Sequence, residues 1–312
     1  MRSIALLGIA LSLAGCLGSF GGLGNGGSLA DARRHFKTQI SLPSSNAGPV
    51  EPPPPPFELV RYRSPAGVLP AYLTPRPKDG KRHPAIVWIV GGDTNSIDDV
   101  WSPQRRDNDQ SAAAYRKAGI VTMYPSLRGG NNNPGHREGF YGEIDDVIAA
   151  RDYLARLPYV DPSRIYIGGH STGGTVALLT SETTDRFRAV FAFGPAAYGS
   201  MDTYYFGTLD FGKYDKREAS LRDPARWLSS VTKPTFVIEG KEDPSNIGPL
   251  DHMRRRNTNQ LVTFLAVRFG DHFSVLAPSN DVIAAAILKD TGPSAHIVLT
   301  VEDLETAVFR AI

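Results

Sequence analysis

The sequence predicts an α/β fold with a mostly parallel central sheet and helices on both of its faces. Short runs that are apolar throughout alternate along the chain with segments of helical periodicity. Uniformly apolar runs are typical of strands buried on both faces, and strand–helix alternation is typical of parallel sheets. We predict strands at 85–90, 120–124, 165–167, 189–193, 235–238 and 261–267, and helices at 111–118, 143–157, 172–180 and 281–288.

The composition excludes several classes of protein. The 312 residues carry a formal net charge of +2, and no long block of like charge occurs, so nothing favours a nucleic-acid partner. Cys16 is the only cysteine, and no His-Glu-x-x-His pattern is present. An internal disulfide is therefore impossible, and we expect no metal and no cofactor.

The first 16 residues have the layout of a secretory signal. Arg2 precedes an apolar run over 4–13 that is too short to span a bilayer as a permanent helix. The run ends in Leu13-Ala14-Gly15-Cys16, which resembles the lipobox of bacterial lipoproteins. This resemblance implies cleavage before Cys16, lipid on that residue, and anchoring in the cell envelope facing the periplasm. Because Leu17 is not aspartate, the outer membrane is favoured. An ordinary signal peptide with a chance cysteine, or an uncleaved anchor, is the alternative.

The composition then changes twice before the predicted sheet. Residues 18–28 are rich in glycine, and residues 52–56 are five consecutive prolines. Such stretches bury little apolar surface and are typical of linkers. We therefore predict a signal peptide over 1–15, a lipidated flexible tether over 16–56 and a catalytic domain over 57–312. Within that domain we expect a hairpin over 57–73 and a C-terminal extension at about 291–312.

A glycine-flanked serine follows the third predicted strand of the parallel sheet. The segment Gly169-His170-Ser171-Thr172-Gly173 lies between a buried strand and a helix. A sharp strand-to-helix turn exposes a serine hydroxyl as a nucleophile, and only small residues fit around its backbone. We predict Ser171 as the nucleophile and the Thr172 N–H as an oxyanion donor. A tight turn with an incidental serine is the alternative.

An acid and a base are expected after later strands. The segment Glu239-Gly240-Lys241-Glu242-Asp243 follows one strand, and Asp271-His272 follows the last. We predict Asp243 as the acid, with Glu242 as the alternative and Glu239 as part of the strand end. We predict His272 as the base, since its position allows the order serine, acid, histidine.

A second oxyanion donor is predicted in the loop after the strand 85–90. Gly91-Gly92-Asp93 stands there, and we assign the donor to the backbone of Gly92 or Asp93. A plain glycine turn is the alternative.

Taken in order, these motifs resemble the catalytic domain of the prolyl oligopeptidase family and the similar dienelactone-hydrolase-like group. The resemblance covers about 85–288 and also rests on Leu127-Arg128-Gly129-Gly130 and Val160-Asp161-Pro162-Ser163-Arg164. It implies an α/β-hydrolase fold, the Ser171, Asp243 and His272 triad, and acyl transfer to water. Val90 stands where some members place an oxyanion-hole tyrosine, which favours ester hydrolysis over peptide cleavage. The aromatic-rich segment 198–227 lies where such folds insert a cap; a packed surface helix pair is the alternative.

We therefore predict a serine hydrolase that acts on a short-chain ester or a small peptide. An envelope acyltransferase with the same triad and a non-catalytic envelope lipoprotein that retains the fold are the alternatives. The sequence predicts neither the substrate nor the oligomeric state.

Overall fold

One eight-stranded sheet organises the chain. A computed structural model describes residues 27–45, 47–196 and 214–311. The sheet order is β1-β2-β4-β3-β5-β6-β7-β8. The first two strands form an antiparallel hairpin, β2 pairs antiparallel with β4, and all later pairs are parallel. The strands are β1 (Glu58–Ser64), β2 (Gly67–Leu73), β3 (His83–Ile89), β4 (Val121–Pro125), β5 (Val160–His170), β6 (Val190–Phe193), β7 (Thr235–Gly240) and β8 (Val262–Val267).

Helices cover both faces of this sheet. Successive side chains of β3 point to opposite faces, and they are buried on both. Val87 packs in the core that includes α1, α3 and α4, whereas Trp88 packs in the core formed with α2, α7 and α8. The α/β-hydrolase fold class predicted from the sequence is confirmed. The helices are α1 (Leu29–Arg33), α2 (Ala113–Lys117), α3 (Glu143–Leu154), α4 (Thr172–Thr183), α5 (Lys216–Ser220), α6 (Ile247–Arg256), α7 (Leu276–Lys289) and α8 (Val301–Ala311).

The segment before β1 is packed on the domain, so the predicted tether over 16–56 needs correction in its described part. Leu29 and Ile40 are buried in the core beside α3 and α4. The Arg33 guanidinium donates to Tyr141 O at 2.6 Å and to Asp145 at 2.8 Å. Composition does not predict this packing, because about one buried side chain in ten residues is enough to hold an extended segment on the domain.

Three other predictions concern the signal peptide, the cap and the C-terminal extension. The signal peptide and Cys16 lie outside the described residues, as does 197–213, which holds most of the predicted cap. The rest of that cap segment forms α5 and one short 3₁₀ turn over Pro224–Arg226, and Arg222 forms a fully buried ion pair with Glu218. The C-terminal extension ends in α8, which buries Leu304 and Val308 against the domain. Within the described ranges, no helix has the length and apolar content that crossing a membrane requires.

Candidate active site

Ser171 lies at a strained turn between β5 and α4. Its backbone has φ 55° and ψ −115°, a conformation that residues other than glycine seldom adopt. The Ser171 N–H donates to Phe193 O at the end of β6, at 2.8 Å, which holds the turn in place. The structure therefore places Ser171 at the carboxyl edge of the sheet, where the sequence predicted a nucleophile.

The glycines of the motif are required by close packing. A Cβ atom on Gly169 would overlap Gly173 O, and one on Gly173 would overlap Ile89 O. Helix α4 could not lie so close to strand β5 with a larger residue at 169, or so close to the end of strand β3 with a larger residue at 173. The predicted need for small residues at these two positions agrees with this packing.

His272 follows β8 and is paired with a carboxylate. Its Nδ1 lies 3.0 Å from Glu239 Oε1 and 3.3 Å from Oε2, and the side chain is 7% exposed. Since a carboxylate accepts, Nδ1 donates its proton in this contact, which leaves Nε2 as the ring nitrogen that can take up another proton. The His272 N–H donates to Pro244 O at 2.8 Å, which ties the histidine to the loop after β7.

Ser171 and His272 flank the same two residues at the end of β6. Phe193 O accepts the Ser171 N–H, and the next residue, Gly194, has φ +52°. A Cβ on Gly194 would overlap His272 Cε1 and lie 2.5 Å from Glu239 Oε2. The absence of a side chain at 194 therefore lets the histidine and its carboxylate lie against the strand end beside the serine.

The structure places Glu239, and not the predicted acid Asp243, beside His272. Asp243 and Glu242 are exposed on the loop, and Glu242 accepts from Phe269 N at 3.4 Å. Glu239 is fully buried and also accepts from Asn246 N at 2.7 Å and from the Ser245 hydroxyl at 3.2 Å. The physical reason is reach: the longer glutamate extends forward from the strand end, while the loop carries Asp243 to the surface.

One signal in the sequence could have identified Glu239. It ends the run Thr235-Phe236-Val237-Ile238, whose side chains are all buried. Burying a carboxylate at the end of such a strand is costly unless donors surround it. A charge in a strand that is otherwise apolar is therefore a stronger functional signal than charges on the exposed loop that follows.

The loop after β3 and the start of α4 meet beside Ser171. Gly92 has φ +72°, and its carbonyl accepts the Thr172 hydroxyl at 3.0 Å. Thr172 is the first residue of α4, so its N–H has no acceptor within the helix. The Asp93 carboxylate accepts from Ser96 at 2.8 Å and pairs with Arg137 at 3.2 Å. The three residues predicted for the oxyanion hole are thus brought together at one edge of the site.

The described part of the chain contains no cluster of metal-ligating side chains. No group of three or more histidine, cysteine, aspartate or glutamate side chains there could hold a metal ion. The polar groups that surround His272 are instead hydrogen-bonded to each other.

Comparison with known proteins finds similarity to peptidases of the prolyl oligopeptidase family. Residues 107–253 match the model of the prolyl oligopeptidase family, Peptidase S9. Prolyl oligopeptidase A of Amanita bisporigera is 26% identical over 223 residues, which are 67% of this chain and 25% of that protein. Dipeptidyl-peptidase 5 of Porphyromonas gingivalis is 26% identical over 55% of this chain and 27% of that protein. The chain thus spans about a quarter of the length of these relatives.

Solved structures show the same fold. A puromycin hydrolase superposes with a TM-score of 0.61 at 18% identity, over 80% of this chain and 42% of that one. An esterase of Pyrococcus furiosus superposes with a TM-score of 0.58 at 19% identity, over 81% of this chain and 98% of that one. Together, family match and fold support a serine hydrolase. At these identities the solved structures show the fold alone.

Proposed function

We propose that this chain is a serine hydrolase that cleaves an ester or amide bond through Ser171, His272 and Glu239. The observation that carries the proposal is the arrangement at the end of β6, where Phe193 O holds the strained serine turn and the next residue, Gly194, lies against the His272–Glu239 pair. A histidine oriented by a buried carboxylate, beside a half-buried serine at a strand-to-helix turn, is the arrangement that activates a hydroxyl.

The proposed reaction has two acyl-transfer steps. The Ser171 oxygen attacks the substrate carbonyl while His272 Nε2 takes the hydroxyl proton, and Glu239 stabilises the resulting imidazolium. The Thr172 N–H and a backbone N–H of Gly92 or Asp93 stabilise the oxyanion. The intermediate then collapses, His272 gives its proton to the leaving alcohol or amine, and an acyl-enzyme remains. Water activated by His272 releases the acid and regenerates the serine.

A fluorophosphonate probe tests the nucleophile. The full chain should become labelled, and Ser171→Ala should abolish labelling. Ser163→Ala, which changes an exposed serine on the opposite part of β5, is the matched control and should label like the wild type. An unlabelled wild type, or a labelled Ser171→Ala protein, would contradict the proposal.

The substrate class is tested separately. We favour short-chain esters, with small peptides second, because Val90 supplies no hydroxyl at the oxyanion loop. Turnover of p-nitrophenyl esters should exceed that of Xaa-Pro amides. An added alcohol or amine that captures the acyl group faster than water would instead favour the acyltransferase.

We also propose that Cys16 is lipidated and anchors the protein in the cell envelope, in the outer membrane of a bacterium. The support is the Leu13-Ala14-Gly15-Cys16 motif. Incorporation of an alkyne-labelled fatty acid by the wild type, and its loss in Cys16→Ser, is the expected result.

A further inference from the structure

His170, the residue before the nucleophile, lies against His272. It is 1% exposed, and the two ring centroids are 4.4 Å apart. His170 Nε2 is 2.9 Å from the backbone oxygen of His272. A carbonyl can only accept, so His170 Nε2 carries a proton and donates it to the backbone of the histidine that serves as base.

The other nitrogen of His170 meets Gln110. Burial, together with the nearby His272, lowers the pKa of His170 to about 3, so the ring is neutral and Nδ1 is an acceptor. Gln110 Nε2 lies 2.9 Å from this Nδ1 and donates to it. Nδ1 is also 3.1 Å from Gln110 Oε1, but two acceptors do not form a hydrogen bond. The same amide nitrogen lies 2.7 Å from Asn108 Oδ1, which fixes the amide orientation.

The oxygen of the Gln110 amide reaches the loop after β3. Gly91 N–H donates to Gln110 Oε1 at 3.2 Å, and the Trp88 indole N–H donates to Gln110 O at 2.8 Å. A Cβ on Gly91 would lie 2.8 Å from His170 Nδ1, so this loop is pressed on the imidazole ring. One continuous set of hydrogen bonds therefore runs from the loop beside Gly92 to the backbone of His272.

We propose that Gln110 and His170 are positioning residues that hold the oxyanion loop and the base His272 in register with Ser171. The inference rests on the proposed function and adds to it two residues that need not touch the substrate. Glu239 fixes the ring of His272 through Nδ1, and His170 fixes its backbone through the carbonyl oxygen. Two such constraints from opposite sides define where His272 Nε2 points.

Kinetics of matched variants test the role. His170→Phe keeps an aromatic ring but removes both nitrogens, and Gln110→Met keeps length but removes the amide. A misplacement of about 1 Å costs about 100-fold in rate, so we expect His170→Phe to lower kcat on a p-nitrophenyl ester by about that factor. KM should change little. His170→Gln, which keeps one donor and one acceptor, should recover much of the rate, and the exposed His296→Gln is the control.

A second measurement does not depend on turnover. The Nδ1 proton that His272 shares with Glu239 should give a downfield proton resonance that disappears in His272→Gln. We expect this resonance to move in His170→Phe and in Gln110→Met, and to stay in His296→Gln. If it stays in place in both variants, folded as judged by circular dichroism, the inference is overturned. The inference also fails if the wild type is labelled by fluorophosphonate and both variants retain its kcat. An unlabelled wild type would instead overturn the proposed hydrolase activity. The proton resonance would then still test whether His170 and Gln110 position His272.

Discussion

Glu239 illustrates at the scale of one residue how a buried carboxylate is held in a fixed orientation. Three donors surround its carboxylate: His272 Nδ1, Asn246 N and the Ser245 hydroxyl. Two of these belong to the loop after β7 and do not depend on the histidine. The carboxylate is therefore oriented before any substrate arrives, which is the condition for stabilising a transient imidazolium without further reorganisation.

Replacing this carboxylate should be costly. We expect Glu239→Gln to lower kcat by about 10⁴, the magnitude known for the corresponding change of a triad aspartate, because the amide favours the wrong histidine tautomer. Asp243→Asn is the matched control on the exposed loop and should change kcat by no more than about twofold. Steady-state turnover of a p-nitrophenyl ester measures both. The opposite ranking would show that Asp243 is the acid in solution.

At the scale of the element, helix α4 carries a residue of the candidate site at its first position and, near its other end, a buried carboxyl for which the described residues supply no hydrogen-bond donor. Its first residue, Thr172, serves the site, and near its other end Glu182 is 1% exposed. Among the described residues, nothing donates a hydrogen bond to either Glu182 oxygen. Burial, and then the charge of Asp223, raises the pKa of Glu182 well above its usual value. Burial of Glu182 therefore costs the folded state less when the carboxyl is protonated than when it is ionised.

The sign of this effect sets the pH dependence. The folded protein keeps the Glu182 proton where the unfolded chain has released it, so the free energy of unfolding falls as pH rises from about 4.5 through the raised folded-state pKa. We expect Glu182→Leu to raise the Tm at pH 8 and to raise it less at pH 4.5. A gain in Tm that does not vary with pH would contradict the assignment.

A matched control lies in α3. Glu143 is also buried, but its Oε1 accepts from Asn95 at 3.1 Å and from Glu138 N at 2.8 Å. Glu143→Leu leaves those donors unpaired and should lower the free energy of unfolding by about 1–3 kcal/mol. Calorimetry of the two variants at the same pH compares a carboxylate that accepts two hydrogen bonds through Oε1 with a carboxylate that accepts none from the described residues.

At the scale of the whole molecule, the chain before the sheet is part of the folded domain. Besides the contacts of Leu29 and Arg33, Thr38 donates to Glu218 at 2.8 Å and Gln39 N donates to the same carboxylate at 2.6 Å. Ser45 N donates to Gly129 O at 2.8 Å. These contacts join the segment to α5 and to the loop after β4, far away along the chain.

Truncating Leu29, the first buried side chain of this segment, tests whether the segment is packed on the domain. Leu29 is fully buried beside α4, so Leu29→Ala should cost about 2–5 kcal/mol of unfolding free energy. Lys37→Ala, an exposed change in the same segment, should alter it by less than about 0.5 kcal/mol. Urea unfolding measures both differences. Equal, negligible effects would mean that the segment is detached in solution.

Local patterns explain what the sequence could predict. The apolar runs that became β3 to β8 and the turn at Ser171 each depend on neighbours within a few residues, so the fold and the position of the candidate nucleophile were accessible. The identity of the acid was not accessible from the sequence, because the choice between Glu239 and Asp243 depends on how far the strand continues and where the loop turns. The role inferred for His170 depends on partners 60 and 102 residues away, and no local pattern points to them.

The packed N-terminal segment also limits how far the domain can stand from a membrane. Leu29 follows Cys16 by only 13 positions. If Cys16 bears the lipid proposed above, a fully extended chain of that length places Leu29 at most about 45 Å from the anchored residue. A tether that continued to Phe57 would have allowed the domain roughly three times that extension. The enzyme would therefore act within a thin layer beside its own membrane, and its substrates would have to be sought there.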